Sequence, residues 1–150
     1  TISGAEAAAV MFQEDRLCET LTPVENVLLF LPRATSRAAV RDLLAEVLPE
    51  ECLDQPVCEL SGGMRQRVAV LRAMRMDADF LLLDEPFRGL DAGTKKKTMN
   101  YIRRKGKEKT ILLVTHDLEE AEAMGDWICT CSRLDGILEI KRNRKSSTEI

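Results

Sequence analysis

Apolar positions along this chain fall into two kinds of pattern. Two continuous runs, Phe80-Leu81-Leu82-Leu83 and Ile111-Leu112-Leu113-Val114, end in polar or acidic residues. Short unbroken runs of this kind predict strands buried on both faces of a parallel sheet. A third run, residues 9 to 13, ends in Gln13 and predicts a short strand leading into a loop. Between these runs the apolar residues recur at helical spacing. Val40, Leu43, Leu44 and Val47 share one helical face, as do Met64, Val68 and Leu71.

The capping residues sharpen the boundaries. Thr22, Pro23 and Glu25 spell a helix start with a capping box. Ser61 opens a helix through Met76, and Asp91 one through about Lys105. Asp117 and Glu120 form a second capping box, opening a helix that Gly125 ends. Pro49 and Pro56 break residues 49 to 60 into loop. Residues 127 to 140 read as a hairpin with its turn at Asp135-Gly136, and residues 141 to 150 as a polar tail. Strands alternate with helices from residue 79 onward, which is α/β organisation. A mostly helical block separates the first strand from the rest, and there is no internal repeat.

The chain has 150 residues, 45% apolar and 31% charged, an ordinary globular composition for one domain. Its net charge of −3 argues against nucleic acid as a partner. No apolar run approaches the roughly 20 residues of a membrane span. The opening stretch lacks the charged region of a signal peptide. Of the five cysteines, Cys129 and Cys131 have strand spacing, and a single histidine leaves no usual zinc pattern. Lys95, Lys96 and Lys97, with Arg103, Arg104 and Lys105, read as a solvated helix face.

Four features carry candidate chemistry. A buried strand delivers Asp84 and Glu85 to its carboxyl end, where α/β sheets bind ligands. An aspartate there holds Mg²⁺, and the following carboxylate activates a water; the alternative is an acidic pair that merely ends a strand. Ser61, Gly62 and Gly63 open a helix, where exposed N–H groups and the dipole attract anions; the alternative is a plain serine cap. His116 lies just past a strand and suits contact with a terminal phosphate, or a structural role. Gln13 holds a similar place and suits Mg²⁺ or water, or is a solvated loop residue.

Taken in order, Gln13, Leu60-Ser61-Gly62-Gly63, Leu81-Leu82-Leu83-Asp84-Glu85-Pro86, Gly89-Leu90-Asp91 and Thr115-His116 resemble the nucleotide-binding subunit of ATP-binding cassette (ABC) transporters, over about residues 9 to 140. The resemblance implies an α/β fold: a P-loop NTPase-like parallel sheet, with residues of about 20 to 75 as a helical subdomain. It implies ATP and Mg²⁺ as cofactors. Gln13 matches the Q-loop, and residues 60 to 64 match the signature, with Met64 where many members carry glutamine. Asp84 matches the Walker-B aspartate and Glu85 the catalytic base. Asp91 matches the D-loop and His116 the switch histidine. "MFQEDRL", "LSGGMRQR", "DEPFRGLD" and "THDLEEA" resemble the nitrate, sulfonate, taurine and bicarbonate importer group. The implied partners are a second nucleotide-binding subunit, transmembrane permeases and a periplasmic or lipoprotein solute-binding protein. The implied location is the cytoplasmic face of the membrane.

One element of that family is absent from these residues. None of the eight glycines opens the P-loop pattern G-x-x-x-x-G-K-[ST]: only Gly106 precedes a lysine, Lys107, with Tyr101 and Glu108 at the flanking motif positions. The sheet is therefore expected to be incomplete, its P-loop strand missing and residues 111 to 115 short of a pairing partner on one side. The expectation is a carboxyl-terminal part of a longer subunit, inactive and poorly folding by itself. The alternative is a natural truncated, non-catalytic module that supplies only the signature half of a composite ATP site.

Overall fold

A computed structural model describes residues 7–134 and 137–144. The chain divides into two compact units, Thr1–Val114 and Thr115–Ile150.

The first unit is a three-stranded parallel sheet with helices. Strand β1 is Ala8–Met11, β2 is Phe80–Asp84 and β3 is Thr110–Val114, in spatial order β1-β2-β3. Val10 pairs with Leu82 and Leu82 with Leu112; Met11 pairs with Leu83. The three carboxyl ends therefore leave the sheet along one edge. Between β1 and β2 come helices α1 (Pro23–Leu28), α2 (Arg37–Ala45) and α3 (Gly62–Arg75); between β2 and β3 comes α4 (Ala92–Lys105). Helix α3 packs on β1 and β2 and also meets α1 and α4.

Local sequence explains most helix ends. Thr22 and Glu25 cap α1 reciprocally, with Pro23 in the first position. The Ser36, Ser61 and Asp91 side chains accept from the first-turn N–H groups of α2, α3 and α4. Residues 49 to 60, expected as loop, contain two short 3₁₀ turns, Glu50–Cys52 and Val57–Glu59, each entered from a proline. The proline fixes φ at its own position and suits the start of such a turn.

The sheet departs from expectation on one face. Ala9, Met11, Leu81 and Leu83 point to α3 and are buried, each side chain of leucine size stabilising by roughly 1.5–3 kcal/mol. The alternate residues are not. β2 and β3 were expected to be buried on both faces, but Leu82 is only half-buried, and Leu112 and Val114 are exposed. Helix α3 covers the side of Ala9, Met11, Leu81 and Leu83, and among the described residues no helix of the first unit buries the side of Leu112 and Val114. β3 takes its ladder from β2 alone among the described residues.

The second unit has its own local order. Helix α5 (Leu118–Met124) is capped by Asp117 and ends at Gly125. The Glu120 carboxylate was expected to complete a capping box. The half in which the Asp117 carboxylate accepts from the Glu120 N–H is present at 3.3 Å. The Glu120 carboxylate also accepts from the Thr115 hydroxyl at 2.6 Å, and that hydroxyl accepts from the Asp117 N–H at 3.1 Å. The threonine directly follows β3, two residues before Asp117, and bridges the two. Strands β4 (Trp127–Leu134) and β5 (Ile137–Arg144) form an antiparallel hairpin. Its expected turn at Asp135-Gly136 lies outside the described residues. Residues 141 to 144, expected in a frayed tail, continue β5 by pairing with residues 127 to 130.

Candidate functional site

The carboxyl edge of the sheet carries Gln13, Asp84 and Glu85. Gln13 is exposed, two residues beyond β1. The segment after it is held from two helices. Asn26 of α1, fully buried, accepts from the Cys18 N–H at 2.8 Å and donates to the carbonyls of Cys18, Leu21 and Thr22. From α3, Arg65 donates to both Asp15 carboxylate oxygens at 2.7 and 3.2 Å. Arg72 donates to the Asp15 and Arg16 carbonyls at 2.7 and 2.9 Å. Burial pushes the Asp15 carboxyl up. The Arg65 hydrogen bond, the Leu17 N–H and the charges of Arg65 and Arg72 outweigh it and hold the carboxyl below the usual range. Arg16 itself has φ 47° and lies 3.8 Å over the Phe12 ring.

Helix α3 starts at Gly62 with the Ser61 Oγ accepting the Met64 N–H at 3.3 Å. The two glycines differ. A Cβ at Gly62 would meet nothing within 4 Å, so its backbone is open to an approaching group. A Cβ at Gly63 would sit 3.2 Å from Leu90 Cδ2 and 3.4 Å from the Gly89 carbonyl. Gly63 therefore serves close packing inside this chain. Met64 is half-buried, with the Cys52 thiol 3.8 Å from its sulfur.

Asp84 is the last residue of β2. Glu85 leaves the strand with φ 49°, a left-handed conformation that costs a non-glycine residue about 1 kcal/mol or more. Its N–H donates to the Val114 carbonyl at 2.9 Å. Its own carbonyl accepts from the Gln66 amide at 2.8 Å and from the Arg88 N–H at 3.2 Å.

Between these loops lies an open cleft of about 820 Å³. It gathers Gln13, Ser61, Gly62, Gly63 and Asp91, five of the expected site residues, together with Gln66 and three arginines, Arg65, Arg67 and Arg88. Asp91 caps α4 through the N–H groups of Gly93 and Thr94, and hydrogen bonding from Thr94 holds its carboxyl below the ordinary range. Arg67 reaches the carbonyls of Gly63 and Val47; burial lowers its pKa, partly offset by Asp91. Asp84 and Glu85 do not line the cleft. Glu85 is joined to it through Gln66. His116 belongs to the second unit, directly before the α5 cap, and is described with that unit.

Among the described residues no group of three or more acidic, histidine or cysteine side chains converges on one point. Asp84 offers a single half-buried carboxylate at the sheet edge. That donor set fits Mg²⁺, which keeps waters and binds through one or two carboxylates plus substrate phosphates, and does not fit an all-protein cage.

Sequence reasoning missed Asn26, Arg65, Arg72 and Gln66. Their partners lie 8, 50, 57 and 19 residues away. A polar residue within an apolar helical face was the available signal for Asn26. None was available for Gln66.

The fold defined by this sheet, its helical block and the cleft at its carboxyl edge is that of an ATP-binding cassette. A dimeric cassette in a post-hydrolysis state, bound to ADP and Pi, superposes with a TM-score of 0.77 at 30% identity, over 93% of this chain and 63% of that one. The family model for ABC transporters matches residues 3–88, and the chain belongs to the ABC transporter family. It is 41% identical to an aliphatic sulfonates import ATP-binding protein of Agrobacterium fabrum, over 87% of this chain and 51% of the relative. It is 40% identical to a taurine import ATP-binding protein of Pseudomonas aeruginosa, over 75% and 45%. The chain spans about half the length of the curated relatives it matches.

Proposed function

We propose that these residues work in an ATP-hydrolysing subunit that drives import of a small sulfonate, of the aliphatic sulfonate and taurine class. The observation that carries this reading is the cleft. It brings the open backbone of Gly62 and the Ser61 hydroxyl to one space with Gln13 and Asp91. Backbone N–H groups at a helix start, with no side chain in the way, favour a phosphate oxygen.

In this reading Asp84 and Gln13 hold the Mg²⁺ that accompanies ATP, and the metal neutralises charge on the phosphates when bound. Glu85 orients and deprotonates the attacking water. Ser61 and Gly62 donate hydrogen bonds to a nucleotide whose other phosphate contacts come from the P-loop of a second nucleotide-binding subunit, the P-loop being absent from these 150 residues. Asp91 lies at that subunit interface, and His116 contacts the terminal phosphate. The further partners in this reading are permeases and a solute-binding protein; that the relatives are import ATP-binding proteins supports the importer setting. No helix among the described residues is long and apolar enough to cross a membrane, which suits a peripheral seat on the cytoplasmic side.

The test is Glu85→Gln in the assembled importer. The expected outcome is ATP still bound, with turnover reduced at least about a hundredfold, as for loss of a general base. Undiminished hydrolysis removes Glu85 from that role.

A further inference from the structure

We infer that Gln66 is a positioning residue for Glu85, one that ties the geometry of the base to the start of α3. The inference rests on the reading of Glu85 as the base.

Glu85 is held in a conformation it does not favour, for two separate reasons. Its φ of 49° lies in the left-handed region, where the Cβ of an L residue is crowded. It also precedes Pro86, whose ring pushes the residue before it towards extended backbone. Left to itself, the Glu85–Pro86 peptide relaxes towards negative φ and carries the carboxylate to a new direction. Three hydrogen bonds oppose this. Two are local or belong to the sheet: the Glu85 N–H to Val114, and the Arg88 N–H to the Glu85 carbonyl. The third and shortest comes from the Gln66 amide at 2.8 Å.

Gln66 is suited to that task. It is only 7% exposed, so its amide has little water to turn to. It stands about one turn after Gly62 and Gly63 on α3, the helix whose first residues face the cleft. Its neighbour Arg65 fixes Asp15 in the loop after Gln13. Two consecutive residues of one helix thus hold the two loops that carry Gln13 and Glu85. A ligand that seats against Gly62 stabilises the same turn of helix from which Gln66 reaches the base.

Gln66→Met keeps length and volume and removes the donor. Two measurements on it decide the question. In the assembled ATPase, kcat is expected to fall about tenfold, the size of effect a lost buried hydrogen bond gives, with KM for MgATP changed less than about twofold. Added to Glu85→Gln, it is expected to reduce the residual turnover no further, because it acts through Glu85. By hydrogen exchange on the assembled ATPase, the Glu85 and Arg88 amides are expected to exchange about tenfold faster, while those of Val68 and Leu71 stay protected.

An unchanged kcat overturns the inference. So does an equal loss in both backgrounds, or faster exchange throughout α3, which marks a merely structural role. If Glu85→Gln is inactive and Gln66→Met is not, this inference falls and the base reading stands. If Glu85→Gln keeps full turnover, the base reading falls and takes this inference with it.

Discussion

The two faces of the three-stranded sheet differ sharply. On one, Leu81 and Leu83 are 0% exposed against α3; on the other, Leu112 and Val114 are 48% and 45% exposed. The loops that carry candidate chemistry depend on the first face. Asn26, Arg65, Gln66 and Arg72 all reach them from α1 or α3. Within the first unit, polar contacts that position the loops therefore accompany a sheet packed on one face. Polar bonds of fixed length secure the loops locally, whereas apolar burial needs a second layer to exclude water.

The largest expected effect tests that contrast directly. Leu81→Ala should destabilise by about 3 kcal/mol, as for a fully buried leucine. Leu112→Ala, on the bare face, should cost less than about 1 kcal/mol. Urea denaturation of both variants measures the difference. Equal costs would mean that the second face is covered in solution.

A second prediction concerns the Asp15–Arg65 pair on the packed side. The folded carboxyl titrates below its ordinary value of 3.8, burial being outweighed by Arg65 and its neighbours. Between the lowered and the ordinary value, the unfolded state binds more protons than the folded one. The stabilisation is therefore full above the ordinary value and is lost as pH falls through the lowered one. Asp15→Asn should remove this acid-dependent component, seen as a flatter melting temperature against pH below about pH 4.

The smallest expected effect is a gain. The Tyr101 hydroxyl on α4 is buried and finds no hydrogen-bond partner among the described residues. Burial, with the Glu46 charge, pushes its pKa up to about 12. Tyr101→Phe should stabilise by about 1 kcal/mol, because an unsatisfied buried polar atom is removed without changing shape. Thermal unfolding would show a rise of a few degrees; a fall would reveal a partner for that hydroxyl.

Much of the local structure was legible beforehand. Thr22, Ser61, Asp91 and Asp117 announced four helix starts, because a cap is satisfied within three residues of itself. The five motif segments were equally visible, and five of their residues do meet at one cleft. The roles of the two glycines were not separable. Only the placement of Leu90 and Gly89 against Gly63 shows that one packs and the other is open. Strand burial was misjudged for a related reason. A continuous apolar run records what the strand is suited to, not which layers are present to cover it.

By itself, the sequence determined the helix caps, the approximate strand positions, the α/β class and the motif residues from Gln13 to His116, since each depends on neighbours close in the chain. The tertiary structure decided which of those residues share a cleft, which face of the sheet is bare, and that Gln66 holds Glu85. Those outcomes depend on groups many residues apart. Their meeting is set by the parallel pairing of β1 and β2 and by the packing of α3 on both strands.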